Sequence, residues 1–227
     1  MSTITKNHWI ELIVRSFLFA TTICVQFIDK ISETDVFKSI SYGVIWLFFF
    51  IKMITRLIPK KIESMGNQKV FSKNHLPTGK TAEKDNKSAL VVAGIWIAVN
   101  AIFWVLCWVK VLNNDIMFVI SMFFAVCDLI CVLFFCPFQK WIMKNKCCNT
   151  CRIYNWDFAM MFTPLIAVPS FYNYSLVLMS WIVLAHWEIS HKLYPERFYE
   201  KSNDSLKCKN CKEFMCKNKL RVVRKEE

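Results

Sequence analysis

Polar residues in this chain are bunched rather than interspersed, leaving long apolar runs at 9–28, 39–58, 89–112 and 116–136. Each run is about the 20 residues that a helix needs to cross a hydrocarbon core, so four transmembrane helices are expected. The first run carries Glu11 and Arg15 four apart with the acid first, the favourable order for an ion pair on one helical face. An interfacial helix is the alternative for this run, because both charges fall in its first two turns. The second run holds Lys52 and Arg56 near its end, where long cationic stems can snorkel towards water, and Pro59 then stops the helix. Ser88 is the expected N-cap of the third run. The third and fourth are separated only by Asn113-Asn114-Asp115, so they should be antiparallel neighbours ending at Pro137.

A further apolar stretch, 158–190, behaves differently. One continuous helix of that length would be about 50 Å long, well beyond a core of about 30 Å. Pro164, Pro169 and the run Tyr172-Asn173-Tyr174-Ser175 break it, which predicts a short descending arm over 158–171 and a longer returning arm over 175–191. A re-entrant hairpin and a pair of thin spans are both open. The fold class is therefore an all-α polytopic membrane protein: four transmembrane helices plus a broken or re-entrant helical hairpin. The organisation reads as a helical hairpin at 1–58, a basic loop at 59–87, a second hairpin at 88–137, a Cys-rich loop at 138–157, the broken hairpin at 158–191 and a basic Cys-rich tail at 192–227.

Composition agrees with this class: 55% of the 227 residues are hydrophobic and only four are Gly, too apolar for an ordinary soluble domain. The net charge of +12 resides in the loops rather than in an aromatic-interleaved basic domain, so a membrane surface and not nucleic acid is the expected partner. Seven lysines in 60–87 and eleven Lys or Arg in 192–227 place both segments in the cytoplasm by the positive-inside rule, with both termini there and the acidic 29–38 loop outside.

Two Cys-x-x-Cys knuckles, Cys148-Asn149-Thr150-Cys151 and Cys208-Lys209-Asn210-Cys211, flank the broken hairpin, which can return both to one cytoplasmic face. Cys136, Cys147 and Cys216 lie beside them as further candidate ligands. In a reducing compartment paired knuckles point to a metal rather than a disulfide, and four thiolates suit zinc and an iron–sulfur cluster equally. Cys24, Cys107, Cys127 and Cys131 sit inside apolar runs and read as small buried hydrophobes. The resulting expectation is a small Cys-rich cytosolic metal-binding face, with a redox or electron-transfer module that meets a redox partner protein at the membrane. The alternative is a scaffold or transporter-like protein whose zinc ties the tail to the 138–157 loop, and thiol–disulfide exchange is a third class.

Two intramembrane polar residues, Asn100 and Asp128, fall at similar depth in adjacent runs and are expected to hydrogen-bond to each other. Asp128 is a candidate for a proton or ion path, for helix glue, or for a counter-ion of Arg15. His186, Glu188 and His191 read as interfacial polar residues at a helix end. Glu188-x-x-His191 occurs once, and a di-iron carboxylate site needs two copies. Phosphate-binding and nucleophile-elbow motifs are absent from the sequence.

Overall fold

The computed structural model describes residues 2–29, 35–60, 63–81, 86–145 and 147–213, and Cys216 lies outside them. Its long helices are α1 (Thr3–Asp29), α2 (Asp35–Arg56), α4 (Lys87–Trp108), α5 (Asn114–Leu133) and α7 (Phe171–Leu193), with the short α3 (Met65–Gln68) and α6 (Asp157–Phe162) between them. No β-strand occurs among the described residues. Four helices, α1, α2, α4 and α5, are long and apolar enough to cross a membrane.

Helix ends differ from the sequence reading in ways that local chemistry explains. Asn113 has extended backbone and its side chain accepts from the Ile116 amide, so α5 starts inside the expected Asn-Asn-Asp turn. The third helix starts at Lys87, after Asn86 and one residue before the expected Ser88 cap. It stops at Trp108 rather than Leu112, and Lys110 adopts a positive φ of 60° just beyond it.

The bundle core joins Leu18 of α1, Ile45, Phe49 and Met53 of α2, Met122 and Ala125 of α5, Phe158 and Phe162 of α6, and Leu176 and Val183 of α7. Helix α4 stands at the edge. It buries only Ala89, Val92 and Asn100, while Leu90, Val91, Ile97, Ile102, Val105 and Trp108 are exposed.

The descending arm is broken as expected, but inside the bundle. Helix α6 passes into a 3₁₀ segment, Thr163–Ala167, and the chain turns before α7 begins at Phe171, four residues ahead of the expected start. Irregular backbone at such a place requires partners from its neighbours. Ser121 of α5 donates to the Met161 carbonyl at 2.7 Å, and the Trp104 indole of α4 donates to that of Thr163 at 3.3 Å.

At one end of the bundle the loops assemble into a cap from residues 63–81, 138–145, 147–156 and 195–213. The tail is fastened there by hydrogen bonds. The Thr78 amide donates to Ser202, the Asp204 amide to Leu76, and the Arg197 guanidinium to the Val70 carbonyl. Gly66 is required by close approach: a Cβ there would meet the Tyr154 ring at 2.7 Å.

Candidate functional site: a thiol-lined cavity under the cap

Between the cap and the bundle lies a cavity of about 140 Å³. Its wall includes Cys127 and Cys131 of α5, Cys136, and Cys148 and Cys151 of the first knuckle, together with Met160, Met161, Asp128 and Asp157. Cys127 and Cys131 were expected to be inert core residues. Their i, i+4 spacing, with Asp128 between them, instead points one stripe of α5 at the knuckle.

Hydrogen bonds link three of these cysteines through Gln139. The Cys131 and Cys136 side chains bond to one another. Cys136 Sγ accepts from the Gln139 amide at 3.4 Å, and the Cys148 thiol donates to Gln139 Oε1 at 3.0 Å. A π-helical turn at Phe138–Ile142, just after Pro137, sets Gln139 between the two.

Below the knuckle, Lys69 is fully buried. Its ammonium donates to the carbonyls of Asn149 at 2.9 Å and Cys151 at 2.8 Å and lies over the Trp187 and Phe198 rings. Burial pushes this ammonium down to about 7. Burial pushes the Cys151 thiol up, with nearby Lys69 among the groups that oppose the rise.

The second knuckle has the same local backbone but a different environment. Cys208 is exposed and Cys211 partly so. Two residues further on, Glu213 returns the tail to the first knuckle: its carboxylate accepts from the Met65 amide at 2.6 Å and lies 3.0 Å from Ser64 Oγ, which is itself 3.1 Å from Asn149 Oδ1. The Glu213 backbone carbonyl accepts from the Thr5 hydroxyl at 2.6 Å, and burial holds its carboxyl above the usual carboxylate range. The two knuckles are thus brought to one end of the molecule. Among the described residues, however, no three His, Cys, Asp or Glu side chains are gathered closely enough to hold an ion. The first knuckle joins the cavity with Cys127, Cys131 and Cys136, whereas Cys208 and Cys211 are not part of its wall.

A buried ionic network forms the bundle side of the cavity, and here the expected Asn100–Asp128 bond is corrected. Asn100 Nδ2 donates to the Trp96 carbonyl of its own helix, and its Oδ1 has no partner among the described residues. Asp128 instead accepts from Arg15 at 2.9 Å, the counter-ion role. Helices α1 and α5 pack along each other, which sets Arg15 opposite Asp128 while α4 lies to the side. Arg15 also donates to Glu11 at 2.8 Å and to the Ala125 carbonyl at 2.9 Å.

Arg56 turns inward rather than snorkelling, whereas the Lys52 side chain stays 37% exposed. Lys52 lies 3.3 Å from Glu11, and Arg56 lies 3.1 Å from Asp157 and donates to Asn155. Phe158 stands between the two guanidiniums, 5.9 Å from that of Arg15 and 5.3 Å from that of Arg56. An arginine is costly in this setting unless its donors are met, and α6 delivers Asp157 for that purpose.

His186, Glu188 and His191 do not converge. Glu188 accepts both Arg152 guanidinium nitrogens and the Trp156 indole, His191 bonds the Tyr199 hydroxyl, and His186 lies against the Phe71 ring. Comparison with protein families, with characterised proteins and with solved structures gives no match that stands out from chance.

Proposed function

We propose that the chain is a multi-pass membrane protein, its cap in the cytoplasm, that holds a thiophilic metal in the cavity under that cap. Four helices of spanning length and composition, with the lysine-rich segments at their cap end, support the placement. The single observation behind the metal is the hydrogen-bonded series Cys131–Cys136–Gln139–Cys148, with Cys151 on the same wall. Thiolate donors with thioethers nearby and no imidazole suit zinc, an iron–sulfur cluster or Cu(I). Cys131, Cys136, Cys148 and Cys151, which line one cavity, are the residues that would hold the metal. Because an ion here would lie between the membrane helices and the cytoplasmic cap, the reading favours a redox or electron-transfer module over a zinc that only ties down the tail. The hydrogen bonds of Glu213 already fasten that tail.

Metal analysis and absorption spectra of anaerobically purified protein test this reading. The expected result is bound metal in the wild type, most of it lost in the Cys131→Ser/Cys136→Ser double variant and retained in Cys208→Ser/Cys211→Ser. Equal losses in both variants restore a site shared between the two knuckles. A wild-type protein that takes up no zinc, iron or copper overturns the metal altogether.

A further inference from the structure

A second cavity, of about 480 Å³, lies at the cap end between the first turn of α4 and the last turns of α7 and shares no lining residue with the thiol cavity. Arg152 and Trp156 line it together with Glu188 and Lys192, and Leu90 and Ile189 flank it.

The polar groups of this cavity are unevenly matched. Glu188 already receives both Arg152 Nη atoms and the Trp156 indole, so its capacity to accept is largely used. Donors are in surplus. Arg152 is 6% exposed and its buried Nε has no partner among the described residues. Lys192 is exposed at the rim, and the Asn86 side chain makes no capping bond to the start of α4, whose dipole is positive at that end. Counting Arg152, Glu188 and Lys192 leaves one net positive charge. The group that this lining suits is therefore an anionic acceptor carrying about one negative charge.

The flanks of the cavity indicate what carries that anion. Leu90 is 69% exposed and Ile189 57% exposed, and beyond Leu90 the outward face of α4 continues through Val91, Ile97 and Ile102. A free anion gains nothing from such a surface, whereas an acyl chain lies along it. We propose that this crevice binds the phosphodiester headgroup of an anionic glycerophospholipid, with the acyl chains against α4. The inference rests on the membrane placement proposed above but not on the metal.

Native mass spectrometry of the full chain released from nanodiscs tests it, using phosphatidylcholine with and without phosphatidylglycerol. One phosphatidylglycerol is expected to stay bound per chain. Lys192→Glu and, separately, Asn86→Asp should each lower its retention five-fold or more, while Lys207→Glu, which does not line the cavity, leaves it unchanged. Inorganic phosphate at millimolar concentration should not displace it, and Leu90→Ser should weaken it. Displacement by phosphate, with no effect of Leu90→Ser, would overturn the lipid in favour of a free anion. Equal retention in the wild type and both rim variants, with melting unchanged, sinks the site while leaving the membrane reading intact. A chain that stays soluble without detergent removes the membrane reading itself.

Discussion

The two Cys-x-x-Cys knuckles share a backbone and little else. Each is one 3₁₀ turn between extended residues, closed by a bond from the second Cys amide to the first Cys carbonyl, 2.9 Å in the first and 3.2 Å in the second. Cys151 is nevertheless buried over a lysine and opens onto a cavity, whereas Cys208 is exposed, with Lys207 and Lys209 both paired to Asp204. A four-residue motif can determine a turn, because a turn is local. It cannot determine what lies beneath, and thiol chemistry depends on that environment.

The contrast breaks most severely if Lys69 is removed. Lys69→Met leaves the buried carbonyls of Asn149 and Cys151 without their donor, and losing two such partners should destabilise the cap by about 3 kcal/mol. Thermal melting measures the loss. In parallel, maleimide labelling of Cys151 should rise towards that of Cys208; if Cys151 stays protected, packing and not Lys69 makes the difference.

Gly66→Ala comes next. The new Cβ must displace the Tyr154 ring, an overpacking worth about 2 kcal/mol, and it should loosen the first knuckle while Cys208 labels at the wild-type rate. Equal changes at both knuckles would show that the cap yields as one body.

Smaller still is the tail anchor. Glu213→Ala should cost about 1 kcal/mol and expose Cys211 to labelling without altering Cys151. Since the docked carboxyl is held above its unfolded range, the docked state binds the extra proton. Docking is then strongest below the unfolded value and weakens as pH rises through the folded one. Hydrogen exchange over 204–213 should show that dependence in the wild type and lose it in Glu213→Gln. Smallest of all is Asp204→Asn, where the Lys207 and Lys209 pairs are solvated, and no change in melting or labelling is expected.

Much of the bundle was legible because apolar runs of spanning length have few other uses, and the Glu11–Arg15 pair because helical spacing is local. The partner of Asp128 was not. Similar depth in adjacent helices suggested Asn100, yet α5 turns Asp128 towards α1, a rotational choice made by how side chains interlock across the core. The anchors of the tail were not legible either, since Arg197, Asn203 and Glu213 find their partners on 65–78 only once distant loops meet.

By itself, then, the chain determined its helices, the break before α7, the two cysteine turns and the crowding of basic residues at one end, all set by hydropathy, Pro and short-range spacing. Tertiary structure alone decided that the first knuckle joins Cys131 and Cys136 at a cavity, that Arg15 and Arg56 are neutralised by Asp128 and Asp157, and that Lys69 is buried beneath Cys151. Those outcomes depend on which faces of separate elements meet. Burial, which gives a thiol or a charge its chemistry, exists only after they have met.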